Sequence, residues 1–161
     1  MLKRMLVFAA VALVLLVIVF VLASQISLSA LPDPGSRESS LATSAKRWLI
    51  GRAARSSVTA VPAADASSAD NGSMTYGMDC DTCHGKDGRH PTENGQWMYP
   101  RVPNLGGPGV QSWSDAELFW IIKNGVRFTG MPGFGKSQSD KEIWDLVHYV
   151  RSLGAPAPAS K

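Results

Sequence analysis

Apolar and polar positions divide the chain into three stretches. Every residue from Leu6 to Ala23 is apolar, eighteen in a row behind Lys3-Arg4. As a helix at ~1.5 Å per residue the run spans ~27 Å, close to the hydrocarbon thickness of a bilayer. Residues 25–73 then turn to Ser, Ala and Pro, and Leu31-Pro32-Asp33-Pro34-Gly35 breaks any continuing helix. Within this linker the stretch 39–57 has a weak amphipathic pattern, with Leu41, Ala45, Trp48 and Leu49 apolar and Lys46, Arg47, Arg52 and Arg55 basic. It reads either as a helix on the membrane surface, Trp48 at the headgroups, or as a solvated linker helix or disordered chain. Residues 59–73 read as a flexible tether poor in large apolar side chains.

The third stretch, 74–154, carries stronger helix signals. Ser114 with Glu117 forms a capping box, and Trp113 with Leu118 a hydrophobic staple. The helix they open presents Leu118, Ile121 and Ile122 at helical spacing, runs to about Asn124 and stops at Gly125. Ser139 with Glu142 is a second capping box; its helix ends at Gly154, before Pro156 and a short tail, 155–161. About 80 residues is a small domain with a marginal core of its own.

The apolar run has two readings. A secretory signal has a basic start and an apolar stretch of ~7–15 residues. This one is longer, and Val21-Leu22-Ala23 and Leu28-Ser29-Ala30 are weak cleavage sites. An uncleaved single-pass anchor, residues 1–24, is preferred. Lys3 and Arg4 then stay cytoplasmic and the rest of the chain lies outside the membrane.

Charge changes the picture little. The net charge of +3 is concentrated before residue 70, where seven Lys/Arg face three Asp/Glu; residues 70–154 hold eight against ten. The basic residues follow no nucleic-acid-binding motif.

The cysteines matter more. There are two, Cys80 and Cys83, followed directly by His84. A disulfide over so short a loop would restrain little of the chain. Two cysteines and three histidines (His84, His90, His148) support a four-ligand zinc site poorly. A thioredoxin-like pair wants a βαβ context that the Gly-rich and helical flanks lack. Cys-x-x-Cys-His has a more specific reading: two thiols add to the two vinyl groups of haem, and the adjacent imidazole meets the iron. One covalent haem c is expected, and it would fill the core that the domain lacks.

A second axial ligand must lie downstream. His90 is too near His84, His148 lies in a helical stretch, and Met98 precedes Tyr99-Pro100 in a loop. Met131 sits in Thr129-Gly130-Met131-Pro132-Gly133, a setting atypical of core methionine and suited to carrying a thioether to a haem face. It is preferred, with Met98 and His148 behind it.

These residues resemble the class I c-type cytochromes over 72–153. The family has a Gly and an aromatic eight and four positions before the first cysteine, here Gly72 and Tyr76. Its last helix crosses them with a Leu and an aromatic, here Leu146 and Tyr149, which puts His148 on the outer face. Pro103-Asn104-Leu105 resembles the segment whose Pro carbonyl accepts a hydrogen bond from the axial His and whose Leu packs on haem. Pro100 competes for the first role, because the loop is longer than in the mitochondrial proteins. Trp113 matches a Trp whose indole meets a haem propionate, and Ile122 is expected on the haem wall. The resemblance implies an all-α fold, three main helices around haem, and the apolar run places a transmembrane helix before it.

The expected function is electron transport between redox proteins at the bacterial cytoplasmic membrane, with the haem domain in the periplasm. His84 and Met131 would fill both axial sites, leaving none for a substrate. The expected partners are the membrane and redox proteins, without nucleic acid or a small-molecule substrate. Two rivals share the motif: a cytochrome subunit of a respiratory oxidase or dehydrogenase complex, and a haem-based gas sensor.

Overall fold

Residues 2–25 and 29–154 are described by a computed structural model, in which eight helices follow one another: α1 (Leu2–Ser24), α2 (Ser36–Ser57), α3 (Ser68–Asp79), α4 (Asp81–His84), α5 (Glu93–Gln96), α6 (Pro108–Gln111), α7 (Asp115–Asn124) and α8 (Asp140–Gly154). The fold is all-α. The predicted tail, 155–161, lies outside the described residues.

α1 contains the apolar run, and none of its residues is buried. By length and composition it could cross a membrane or serve as a signal sequence. A helix apolar on every side needs an apolar solvent or a packed core around it.

α3 and α8 cross most closely and organise the core. Ile143, Leu146 and Val147 of α8 are almost completely buried, with Tyr76 of α3 against them. At the crossing the helices approach so closely that a β-carbon on Gly72 would lie 2.1 Å from the Asp145 carbonyl oxygen. The rings of Tyr76 and Tyr149 meet there, centroids 5.0 Å apart. The far end of α8 is tied down by Arg151, which donates to Asp115 Oδ1 at 2.6 Å and to the Gln111 carbonyl at 2.9 Å. α7 lies on the other side of α8, where Phe119 stacks on Trp144 at 4.4 Å. Both capping boxes form. Ser114 and Glu117 exchange bonds at the start of α7, and Ser139 and Glu142 do so before α8. Gly125 ends α7 at φ +70°, a conformation that side chains other than glycine rarely adopt.

The segment read as linker requires correction. α3 starts at Ser68, itself buried, six residues before the expected boundary at 74. The helix expected over 39–57 forms as α2, but it packs on α7 and enters the core through Ile50 and Ala54, which are 4% and 1% exposed. The stripe expected to face lipid, Leu41, Ala45, Trp48 and Leu49, is the opposite, exposed one. The inward stripe is Ile50, Gly51 and Ala54, all buried, with half-buried Arg47, the i, i+3, i+4, i+7 pattern of one helix face. Its small residues let α2 come close: a β-carbon on Gly51 would lie 2.9 Å from Glu117 Oε1. Further contacts brace its start, with Tyr99 donating to Glu38 Oε1 at 2.5 Å and Arg101 paired with Asp33 at 2.5 Å.

Ile50→Ala is therefore expected to destabilise the folded domain by about 2–5 kcal/mol, the usual cost of truncating a buried Ile. A thermal melt of the two proteins measures it. An unchanged midpoint would mean that α2 is not part of the cooperative unit.

Candidate functional site

Local helix geometry aligns the Cys-x-x-Cys-His motif. α3 closes at Cys80, whose N–H bonds to the Tyr76 carbonyl, and the chain turns at once into α4. Cys83 and His84 both donate backbone N–H groups to the Cys80 carbonyl, at 3.2 and 2.9 Å. Positions i, i+3 and i+4 of one turn share a face. Tyr76 fixes the turn from below by donating its hydroxyl to the Gly85 carbonyl at 2.5 Å. Thr92 braces the other side, donating to the Thr82 carbonyl at 2.6 Å and capping α5.

That face opens on an apolar cavity of about 230 Å³. Cys80, Cys83 and His84 line one part of it, and Met131, Pro103, Leu105, Trp113 and Ile122 line the rest. All eight residues singled out in the sequence thus meet at one place. Of the rival ligands, Met98 also lines the cavity, whereas His90 and His148 do not. His90 points outward and pairs with Asp87 at 2.6 Å.

The loop that carries Met131 is pinned to the end of α7. Phe134 N–H donates to the Ile122 carbonyl at 3.0 Å and Gly135 N–H to that of Lys123 at 2.9 Å. Met131 accepts from Val126 N–H at 3.3 Å and donates to Thr129 Oγ1 at 3.2 Å. Met98 leans on the same loop, its sulfur 2.4 Å from where a β-carbon on Gly130 would be. Beside these methionine contacts stand two exposed aromatics, Trp97 and Phe128; Phe128 is 92% exposed and adopts φ +64°, which is uncommon for a bulky residue.

The electrostatics suit covalent haem. Neither cysteine is paired. Burial, followed by the neighbouring Asp79 and Asp81 carboxylates, pushes the Cys80 thiol up to about 12. A sulfur in that setting is poorly served by negative charge, and thioether formation removes the proton without leaving a thiolate. Burial lowers the His84 pKa and so favours neutral imidazole, the form that ligates a metal; the Pro103 carbonyl acts the other way. Nδ1 of His84 is buried, and the Pro103 carbonyl is the backbone group that acts on the ring. The lining therefore fits a large apolar group carrying a metal that accepts imidazole and thioether.

Residues 67–150 match the family described as cytochrome c oxidase, cbb3-type, subunit III. The chain belongs to this family. It is a c-type cytochrome, with the fold of an electron carrier rather than of a catalytic enzyme. A chain of the Kuenenia stuttgartiensis reducing HAO-like protein complex is similar in structure, with a TM-score of 0.51 and 25% sequence identity. The match covers 60% of the present cytochrome and 48% of that chain, so it spans about half the length of its structural relative. No curated protein matches.

The sequence reading missed the contribution of α2 to this cytochrome's site. Lys46 lines the cavity. Next to it Arg47 stacks on the Trp113 ring, 4.4 Å from its centroid, and donates to Ser112 Oγ at 2.6 Å. The only signal in the sequence was the spacing of Ile50 and Ala54, muted by the arginine and glycine that share their stripe.

Proposed function

We propose that this protein is a membrane-tethered single-electron carrier holding one haem c, bound through Cys80 and Cys83 and ligated by His84 and Met131. The observation that carries the reading is the convergence of two unpaired thiols, one imidazole and the thioethers of Met131 and Met98 on one apolar cavity. Haem so held supplies a reversible one-electron couple. The chain's own part is to exclude water with Leu105, Trp113 and Ile122, to orient His84 beside Pro103, and to keep Met131 on a pinned loop. A haem iron held by both His84 and Met131 would reorganise little between oxidation states and would keep no position open for a substrate.

α1 supports attachment to the bacterial cytoplasmic membrane, with Lys3 and Arg4 inside and the haem domain in the periplasm. Such tethering raises the effective concentration of redox partners in the same membrane. Trp97 and Phe128, exposed beside the methionine loops, suit the small, transient interfaces of electron-transfer proteins. The family description favours a second reading, a cytochrome subunit of a respiratory oxidase or dehydrogenase complex. Recovery of a large partner after mild detergent extraction would support that reading over a free carrier.

The test is spectroscopic. Protein extracted from membranes of a host that matures c-type cytochromes should carry one haem that survives denaturation and acid–acetone extraction. Its ferric form should show the far-red charge-transfer band of thioether ligation. The reduced form should not bind CO at neutral pH. Rapid CO binding would overturn the carrier reading in favour of a gas sensor.

A further inference from the structure

Two cationic side chains line the cavity, Lys46 and Arg101. They differ in what faces them. Arg101 is paired with Asp33 at 2.5 Å, so the protein already counters its charge. Lys46 is half-buried and makes no hydrogen bond or ion pair among the described residues. Burial lowers its pKa, and the adjacent Arg47 cation lowers it further, with no carboxylate acting in the other direction. Asp79, the carboxylate of the lining, is engaged by the Gln138 amide instead. Burial against an apolar wall beside another cation disfavours the ammonium form, and an anion that met it there would relieve both effects.

The position of Lys46 is imposed by its neighbours. Arg47 is clamped between the Trp113 ring and Ser112, and Ile50 and Ala54 are buried one and two turns on. The backbone at 46 is thereby held at the cavity edge, within reach of a group bound there. The group expected in the cavity brings the missing anion, because haem carries two propionate carboxylates.

We propose that Lys46 is a haem-propionate-binding residue, so that the helix between the anchor and the cytochrome fold completes the cofactor site. The inference rests on the haem reading above. Lys46 lies outside the family match, which begins at residue 67. This chain therefore adds a cation to the haem site from its membrane-proximal segment. A positive charge held by the propionates disfavours the extra positive charge of the oxidised iron and raises the midpoint potential. It also makes the docking of α2 and the haem potential mutually dependent.

The experiment uses the 161-residue chain in detergent, with Lys46→Gln, Lys46→Glu and Lys46→Arg, and with Lys136→Gln as an exposed control that does not line the cavity. Haem content, thermal midpoint and spectroelectrochemical potential are measured on each. Haem content should be unchanged. The potential should fall in Lys46→Gln, fall further in Lys46→Glu, and stay near the parent value in Lys46→Arg and Lys136→Gln. Equal potentials in all haem-loaded variants would overturn the proposal. So would an equal fall in the Lys136 control, or a Lys46→Gln protein that loses thermal stability while its potential stays put. Absence of haem from the parent protein would instead defeat the haem reading on which the proposal rests.

Discussion

Replacing Met131 by alanine is expected to abolish the far-red charge-transfer band, to let the reduced protein bind CO and to lower the midpoint potential. A thioether raises the potential relative to nitrogen or water ligation, and axial ligands together set haem potentials over a range of roughly 0.8 V. The shift should be the largest of any single side-chain change outside the Cys-x-x-Cys-His motif. The fold should survive, because the Met131 loop is held by backbone bonds from Phe134 and Gly135 to α7 that the substitution leaves intact. Met98 makes the experiment discriminating. It lines the same cavity and its sulfur packs at Gly130. If Met98 were the ligand, Met98→Ala would remove the band and Met131→Ala would not. Comparing the two ferric spectra decides between them.

Valine at position 72 is expected to prevent accumulation of folded protein. The β-carbon alone would stand 2.1 Å from the Asp145 carbonyl oxygen and 2.8 Å from the Tyr149 β-carbon. No rotamer relieves a clash between a β-carbon and backbone, so α3 and α8 must move apart. That separation would uncover Tyr76, Leu146 and Val150 and tilt the turn bearing Cys80. Overpacking a core usually costs about 1–3 kcal/mol. Forcing apart the two helices that organise this one should cost more and approach the ~5–15 kcal/mol of a whole domain. Gly72→Ala offers a measurable intermediate: each kcal/mol lost lowers the melting temperature by about 4–8 °C in a domain of this size. A Gly72→Ala protein that melts with the parent would refute the close crossing.

Both effects concern residues legible in the sequence, and the reason is local. Met131 stood out by its glycine and proline neighbours, and Gly72 by its distance from Cys80. The helix at 115–124 was readable to its ends, because Ser114, Glu117 and Gly125 act within one turn of where they stand. The converse holds for α2. Leu41, Trp48 and Leu49, three of its four large apolar side chains, face outward. The face it buries has an arginine, an isoleucine, a glycine and an alanine, and hydrophobicity along the chain does not distinguish it from a solvated stripe. What decides it is the shape of α7 and the flat ring of Trp113, more than sixty residues away. A glycine and an alanine are valuable there because they permit approach, and approach has no signature in a single segment.

The sequence by itself determined the class of protein: the haem motif, the apolar leader, the capped helices and the glycine–tyrosine pair before the motif each act through neighbours within a few residues. Tertiary structure alone decided which methionines reach the cavity, that the Pro103 carbonyl lies at His84, and that α2 packs on the cytochrome fold. These outcomes depend on contacts between parts of the chain far apart in sequence, and spacing along one segment carries no information about them. Lys46 belongs to that second group. In the sequence it is one of several basic residues in a presumed linker; in the fold it is the cation at the cavity wall that no carboxylate of the described chain meets.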